Sequence, residues 1–302
     1  MKKVIVLFTS LLLMGWSLDA AAFSCQAPDT GQKMDSGSAN IYVNLAPSIG
    51  VGQNLVVDLS SSIICRNDDG SESNQLIDYI NLTNGTAFGG TLAAFTGSIY
   101  WNTNSYPLPL NSSTSVYIVT DNNYLGLPLR MYLTATGAAG GVVINAGELI
   151  ARLNMHKVAS NGNPKDFTWN IYANNNVVVP TGGCDVSTRD VTVTLPDYPG
   201  TMAVPVTIHC AQNQNIAYYL TGTTADRSNS IFRNTASASP AQGIGVQITR
   251  NGTVVPANRN VSLGKVGTSP VNLGLTATYA RTSDPITAGN VQSIIGVTFV
   301  YE

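Results

Sequence analysis

The sequence predicts an all-β protein made of two β-sandwich domains. Alternating or β-branched runs recur along the whole chain, and no sustained 3.6-residue period competes with them. Clusters of Gly, Pro, Asn and Ser separate the runs, as turns separate the strands of a sheet. A break over residues 177–184 divides the chain into two strand-rich parts. We therefore expect one sandwich on each side of that break.

The start of the chain is typical of a secretory signal peptide. Two lysines precede an apolar run that ends at Met14, and three alanines at the expected cleavage positions end at Ala22. The apolar run is short for a membrane span, which favours cleavage over anchoring. Removal of residues 1–22 makes Phe23 the first residue, with a free α-amine. From the residues alone, Phe23 either has a role there or only marks where the signal ends.

The overall composition fits packed domains. Of the 302 residues, 44% are hydrophobic and 11% are charged, and the formal net charge is −2. The charges form no basic stripe or cluster, so the sequence predicts no nucleic-acid partner.

Four cysteines in an exported chain predict two disulfides, for which three connectivities exist. Two cysteines precede the break and two follow it, which favours the pairs Cys25–Cys65 and Cys184–Cys210. Zinc binding is the alternative, but no CxxC spacing occurs and the two histidines lie far apart in the sequence. We therefore predict structural disulfides and no metal site.

The first part, residues 23–179, is predicted to be a sandwich of many strands. Turn signals such as Asn84 followed by Gly85 lie between its strands. The strand candidates are residues 40–45, 54–59, 77–82, 97–101, 116–120, 127–134, 149–155 and 167–172.

Residues 180–183 are predicted to be a linker. Pro180 ends the valine run before it, because proline cannot donate to a strand ladder. Gly182 and Gly183 are expected to supply backbone angles that are closed to other residues.

The second part, residues 184–302, is predicted to be a more compact, immunoglobulin-like sandwich. The strand candidates are residues 190–195, 203–210, 216–222, 243–250, 261–263, 271–279 and 294–301.

The last of these candidates places Ile295, Val297, Phe299 and Tyr301 on one face. A long apolar edge that stays unpaired is an aggregation hazard, so we expect a partner to pair with this domain. The alternative is an ordinary strand that is buried in its own sheet.

A polar cluster follows Cys65, and Asp78 comes ten residues after Asp68. A disulfide at Cys65 would fix where this cluster begins, so that Asn67, Asp68 and Asp78 could be presented rigidly to a polyol. Common turn chemistry is the alternative. The spacing does not fit an EF-hand calcium loop, although an irregular cation site is a further alternative for these residues.

A second polar loop, residues 157–166, joins two strand candidates. Lys157 and Asn163 could hydrogen-bond a polyol, although a solvated hairpin loop explains the same residues.

Catalysis has little support in the sequence. Asp68 and Asp78 could be offered as a glycosidase pair. However, the chain has no GxSxG, HExxH or Walker motif, and neither histidine lies in a catalytic context. We therefore predict no enzyme, no catalytic residue and no cofactor.

Several long strings carry a family resemblance over essentially the whole length after residue 22. They are NIYVNL at 40–45, GQNLVVDL at 52–59, WNIY at 169–172, PTGGC at 180–184 and NVQSIIGVTFVY at 290–301. With these strings the chain resembles the bacterial two-domain fimbrial tip adhesins, the family of the type 1 fimbrial adhesin FimH.

The resemblance implies a lectin domain over 23–179 and a pilin domain over 184–302 that lacks its last strand. A periplasmic pilus chaperone would complete the pilin domain first. At the outer-membrane usher, the extension of the next pilus subunit would then replace it as a donor strand. The implied location is the fimbrium tip, and the implied function is attachment to host glycans.

The resemblance also implies a sugar pocket. In the family the first mature residue, a phenylalanine, contributes its α-amine and backbone, which implies that role for Phe23. An Asn-Asp pair after the second cysteine and a later Asp contact the sugar, and these match Asn67, Asp68 and Asp78.

The late loop is more similar to the galactose- and N-acetylgalactosamine-binding FmlH branch than to the mannose binders. Mannose binders have Gln, Asn and Asp there, whereas this chain has Lys157, Asn163 and Lys165. The resemblance therefore favours a galactose-type ligand. Mannose is the alternative, as is a structural subunit with altered or lost glycan binding. Asp69 replaces a tyrosine of both relatives, which removes a stacking surface from the rim.

Overall fold

The computed structural model describes residues 23–68 and 76–302. The predicted signal peptide, residues 1–22, and Asp69 lie outside the described residues. Within the described ranges the regular structure is almost entirely β, with no α-helix and one short 3₁₀ helix at Gly90–Ala94. No helix of these ranges is long and apolar enough to cross a membrane. The all-β prediction is confirmed.

The strands of the first part overlap every candidate that the sequence pattern predicted there, and all but β8 differ from the candidate at one or both ends. They are β1 (Phe23–Ala27), β2 (Gln32–Met34), β3 (Gly37–Val43), β4 (Gln53–Asp58), β5 (Ile64–Asn67), β6 (Asp78–Leu82), β7 (Ala87–Phe88), β8 (Gly97–Trp101), β9 (Asn104–Leu108), β10 (Tyr117–Val119), β11 (Leu125–Gly126), β12 (Leu129–Thr134), β13 (Gly141–Ile144), β14 (Leu149–Ala159), β15 (Pro164–Ala173) and β16 (Val177–Pro180).

These strands form two large sheets and two smaller ones. One large sheet has the order β10-β6-β14-β15-β3, with β7 beside β14, and the other has the order β4-β12-β8-β9. The smaller sheets are β11-β5-β1-β2 and β13-β16. Trp101 of β8 and Trp169 of β15 are fully buried in one apolar core that these sheets enclose. The alternation of buried and exposed positions along β3 and β15 follows the period of two of a half-buried strand.

The second part has its own core and its own sheets. Its strands are β17 (Cys184–Val186), β18 (Thr201–Ala203), β19 (Thr207–Cys210), β20 (Gln214–Thr221), β21 (Ile244–Arg250), β22 (Thr253–Val254), β23 (Val261–Val266), β24 (Val271–Asn272), β25 (Leu275–Arg281) and β26 (Gly296–Tyr301). They form sheets of order β17-β19-β24, β18-β25-β21-β22 and β23-β20-β26 around a core that includes Tyr218 and Phe232.

Among the candidates of the second part, 203–210 is divided between β18 and β19, 271–279 is divided between β24 and β25, and 190–195 is wrong. Residues 190–195 join no ladder, although Val191, Val193 and Leu195 are half-buried against the second core. Alternating apolar residues predict that one face of a segment is buried, but they do not predict whether its backbone pairs with a neighbouring strand. The segment faces the core without a strand partner among the described residues.

Both predicted disulfides are present. Cys25–Cys65 joins β1 to β5 across a sequence separation of 40 residues. Cys184–Cys210 joins β17 to β19 across 26 residues. Each bond therefore lies within one sandwich.

The glycines after Pro180 have a different role from the predicted one. Neither Gly182 nor Gly183 has a positive φ, so the expected need for unusual backbone angles is wrong. A Cβ on Gly182 would instead lie 2.7 Å from the Ala138 carbonyl oxygen and 2.7 Å from the Ala139 Cα. Glycine is required at 182 because the chain passes close to this backbone.

Candidate functional site

Four of the predicted site residues meet at one end of the first sandwich. Phe23, at the start of β1, lies opposite Asn67 at the end of β5. Asp78 begins β6, and Lys157 lies on the neighbouring strand β14. All four side chains are buried. The Cys25–Cys65 bond fixes β1 against β5 two residues from Phe23 and from Asn67.

The Asp78 carboxylate is the centre of this group. Lys157 Nζ lies 3.0 Å from Asp78 Oδ1, and Asn67 Nδ2 donates to Asp78 Oδ2 at 2.9 Å. Asn67 Nδ2 also donates to the Leu76 carbonyl oxygen at 2.5 Å. Asn67 and Asp78 have no exposed surface, and Lys157 is 2% exposed. A buried carboxylate needs such partners, because desolvation of an unpaired charge is costly.

The aromatic wall of the group comes from Phe23 and Phe167. The Lys157 ammonium lies 5.5 Å from the centroid of the Phe23 ring, within the range of a cation–π contact. The Phe23 and Phe167 rings pack with centroids 6.1 Å apart. Lys157 is therefore held by a carboxylate and by an aromatic face, so its ammonium has a fixed position in the group.

Asp68 does not join this buried group through any contact that the structure shows. Its Oδ1 accepts a hydrogen bond from Arg66 Nε at 2.5 Å. The Arg66 guanidinium in turn lies 4.6 Å above the ring of Tyr124, whose hydroxyl lies 3.0 Å from the Ser24 hydroxyl. Asp68 thus belongs to a second polar cluster at the same end of the sandwich.

The β14–β15 hairpin lies at this end as well. The Ala159 amide donates to the Asn163 carbonyl oxygen at 3.3 Å, and the Ser160 amide donates to the Ile77 carbonyl oxygen at 2.8 Å, directly before Asp78. The Asn163 side chain is exposed. Lys165 lies directly opposite Lys157 across the hairpin, is half-exposed, and has its Nζ 3.9 Å from Asp35 Oδ2. Asn163 and Lys165 are therefore placed at the rim.

Sequence reasoning missed the loop between β10 and β11. The Asn67 amide donates to the Asp121 carbonyl oxygen at 2.9 Å, so this loop covers the end of β5. Asp121 Oδ1 also accepts from the Asn123 amide at 2.7 Å and closes the turn. The run from Asp121 to Tyr124 is the same turn chemistry that marked the other polar loops, and it could have been included on that signal.

This arrangement is suited to binding rather than to catalysis. It holds a carboxylate, an amide and an ammonium in fixed positions beside an aromatic wall, and these are the group types that polyol recognition uses. The two carboxylates that could form a glycosidase pair are held by different cations, Asp78 by Lys157 and Asp68 by Arg66. Fold and site together define a two-sandwich β protein of the binding class.

Comparisons with known proteins identify the family. The profile described as "FimH, mannose binding" matches residues 25–170, and the profile described as "Fimbrial protein" matches residues 171–302. The chain is 58% identical over 304 residues to the type 1 fimbrin D-mannose specific adhesin of Escherichia coli (strain K12), with 100% of both chains covered. It is 36% identical over 301 residues to the S-fimbrial protein subunit SfaH of Escherichia coli O6:K15:H31 (strain 536 / UPEC), with 95% of this chain and 100% of that protein covered.

The chain therefore belongs to the family of two-domain FimH-type fimbrial adhesins. The predictions of a fimbrial adhesin that is not an enzyme, and of a place on the surface fimbrium, are confirmed by this membership. Among solved structures, the CupB6 tip adhesin from Pseudomonas aeruginosa is similar over 86% of this chain and 94% of its own. It has 14% identity and a TM-score of 0.29, which is too remote to support any inference.

Proposed function

We propose that this chain is a tip adhesin that binds terminal mannose on host glycans through the buried Asp78 group. The observation that carries the proposal is the convergence of Phe23, Asn67, Asp78 and Lys157 at one end of the first sandwich. The 58% identity to a D-mannose specific adhesin supports mannose as the sugar.

Each residue of the group has a proposed role. Asp78 accepts hydrogen bonds from sugar hydroxyls, and Asn67 orients that carboxylate. Phe23, once residues 1–22 are removed, supplies its α-ammonium and backbone. Lys157 adds a cationic donor. Asp68, Asn163 and Lys165 are proposed as further sugar-binding residues at the rim, outside the buried group.

Galactose or N-acetylgalactosamine is the second candidate ligand, as in the FmlH branch. The observation in its favour is the buried ammonium of Lys157 beside Asp78, at a place where the family's mannose binders carry uncharged Gln. The comparisons give this branch no support, and they favour mannose.

A glycan array with the full exported chain separates the candidates. Binding confined to mannose-ended glycans supports the proposal, and binding confined to galactose- or N-acetylgalactosamine-ended glycans overturns the sugar assignment. No binding to any glycan, together with normal incorporation into fimbriae, would favour a structural subunit.

The role of Asp68 is tested with a matched pair of substitutions. Asp58 forms the same kind of contact on the surface of this sandwich, where Arg130 Nε donates to its Oδ2 at 2.6 Å. We expect Asp68→Asn to weaken sugar binding and Asp58→Asn to leave it unchanged. Equal affinity of both variants and the unmodified chain would show that Asp68 only pairs with Arg66.

The role of the first mature residue is tested by adding one alanine before Phe23. The addition keeps the Phe23 ring but moves the α-ammonium by one residue. We expect a large loss of affinity with an unchanged unfolding transition. Unchanged affinity would show that the α-ammonium of Phe23 does not bind the sugar.

We further propose that residues 184–302 form a pilin domain that a partner completes with a donor strand, with residues 180–183 as its linker to the lectin domain. Among the described residues, β26 pairs with β20 on one side only, and residues 190–195 have no strand partner. Val191, Leu195 and Phe299 are half-buried against the second core, and Ile294 is 78% exposed. These are the two open edges between which an added strand fits.

The proposed partners are a periplasmic pilus chaperone, the outer-membrane usher and the next pilus subunit. Hydrogen exchange of the β26 amides that point away from β20 measures the effect of a donor strand directly. We expect slow exchange in a chaperone complex and fast exchange in the free chain. Equal protection in both states would contradict an open edge.

A further inference from the structure

The outer face of β3 carries an exposed tyrosine at the edge of its sheet. Tyr42 is 46% exposed and packs on Tyr172 of β15, with ring centroids 5.3 Å apart and planes 25° from parallel. Because β3 is the last strand of its sheet, the other face of the Tyr42 ring lies beyond the sheet edge. One flat aromatic face is therefore open to a ligand.

Two exposed asparagines flank this ring, Asn40 within β3 and Asn44 one residue beyond its end. Asn40 and Asn44 lie two residues before and after Tyr42, about 7 Å away along an extended strand. Asn40 Oδ1 accepts from Asn170 Nδ2 at 2.9 Å, and Asn44 Oδ1 accepts from Asn174 Nδ2 at 3.1 Å.

Because the Oδ1 atoms of Asn40 and Asn44 already accept hydrogen bonds, a ligand meets the Nδ2 donors of these two side chains. The Nδ2 groups of Asn40 and Asn44 have no hydrogen-bond partner among the described residues, although each carries two N–H donors. The side-chain amides of Asn170 and Asn174 fix the orientation of these donors, so little side-chain freedom is lost when a ligand binds.

The surroundings favour a neutral ligand. The outward residues of β3 carry no charge, although exposed edge strands are commonly protected by charged side chains. Among the nearby ionic groups, His156 Nδ1 lies 2.6 Å from Asp166 Oδ1, and Lys165 contacts Asp35. Arg152 forms no ion pair with a described residue, but its Nε donates to Asn170 Oδ1 at 3.2 Å, which holds this charge two strands away from β3.

We propose that Tyr42, Asn40 and Asn44 form a second carbohydrate site that takes a neutral hexose unit of a glycan chain. The apolar C–H face of the hexose packs on the open face of Tyr42. The flanking amide groups donate to hydroxyl oxygens on either side of the ring. The site shares no residue with the group around Asp78, and it goes beyond the proposed function. A fimbrial head with two such sites would hold one glycan chain at two points, which raises its avidity.

The test uses the full exported chain with Asp78→Asn and Lys157→Gln, so that binding at the buried group is removed. This variant is titrated with α-mannopentaose and, separately, with lacto-N-neotetraose. The measured signals are the side-chain amide resonances of Asn40 and Asn44 and the ring resonances of Tyr42. We expect saturable shifts of these signals, with dissociation constants in the millimolar range, for at least one of the two glycans.

Two substitutions complete the test. Tyr42→Ser should weaken this binding about tenfold or more, because one aromatic contact is lost. The control Tyr132→Ser removes a half-buried tyrosine from a different sheet and should leave the binding unchanged. The absence of shifts with both glycans overturns the proposal. So does pairing of two chains through β3, seen as a concentration-dependent increase in mass that Tyr42→Ser abolishes.

Discussion

Lys157 Nζ lies 3.0 Å from Asp78 Oδ1, and both side chains are almost completely removed from solvent. A buried ion pair of this kind contributes little net stability, because desolvation of both groups offsets their attraction. Loss of one partner alone is costly, because the other charge stays buried without compensation. The pair therefore fixes the geometry of the candidate site at a modest net gain in stability.

The first prediction concerns this pair. Asp78→Asn and Lys157→Gln should each lower the free energy of unfolding by about 3–5 kcal/mol. The double variant should lose much less than the sum of the two, since an amide pair replaces the ion pair. Of the three tryptophans of the sequence, only Trp101 and Trp169 lie beyond residue 22, so tryptophan fluorescence reports the first sandwich alone. Additive losses would contradict the buried pair.

The second prediction separates the two disulfides. Replacement of Cys25 and Cys65 by serine should remove sugar binding, because the bond holds Phe23 opposite Asn67. The same change at Cys184 and Cys210 is the matched control. It should leave sugar binding intact and destabilise only the second sandwich, by about 3–4 kcal/mol. Equal loss of binding in both variants, measured by titration calorimetry, would refute a local role of the first bond.

The third prediction compares the two linker glycines. Gly182→Ala should destabilise the protein by about 1–3 kcal/mol, because its Cβ would meet the backbone of Ala138 and Ala139. Gly183→Ala should be tolerated better, since its Cβ would meet only the Tyr301 hydroxyl, the far end of a side chain. Thermal unfolding of both variants gives the comparison. A Gly183→Ala variant that is the less stable of the two would contradict it.

The fourth prediction is a pH dependence in the second sandwich. Burial raises the pKa of Asp226, but hydrogen bonds from Ser228, Ser230 and the Ile231 amide outweigh it and lower the pKa to about 2 from the ordinary value of 3.8. A lowered folded pKa means that the stabilisation is present above pH 3.8 and is lost as the pH falls towards 2.

Unfolding of the second sandwich should therefore become easier between these pH values. Asp226→Asn should be less stable at neutral pH and should flatten the pH dependence in this window. Asp29→Asn, at an exposed turn of the first sandwich, serves as the control. If the stability of Asp226→Asn depended on pH as that of the unmodified chain does, the prediction would be wrong.

Much of the fold was predictable where burial and strand pairing coincide. The candidate at 97–101 is β8 with the same ends, because its neighbours β9 and β12 pair along its whole length. The candidate at 190–195 failed because its side chains face a core while its backbone has no partner among the described residues. Sequence alternation predicts the burial of side chains, but it does not predict the pairing of the backbone.

The candidate site was predictable in its buried part and less so at its rim. Phe23, Asn67, Asp78 and Lys157 meet as expected from the family resemblance, while their sugar-binding role stays a prediction. Lys165 and Asp35 are distant in sequence, so no local sequence pattern predicts their contact. The Arg66–Asp68 contact depends on how the chain turns after β5, which composition alone does not determine.

The central claim is that the Asp78 group binds the terminal sugar. Its most direct test is the affinity of the full exported chain, with and without the double change Asp78→Asn and Lys157→Gln, for the glycan that the array identifies. The double variant keeps the charge balance and is expected to keep the fold, so a change in affinity reports the site itself. We predict a loss of at least about 100-fold, or about 2.7 kcal/mol. An affinity within about twofold of the unmodified chain, about 0.4 kcal/mol, would contradict the account.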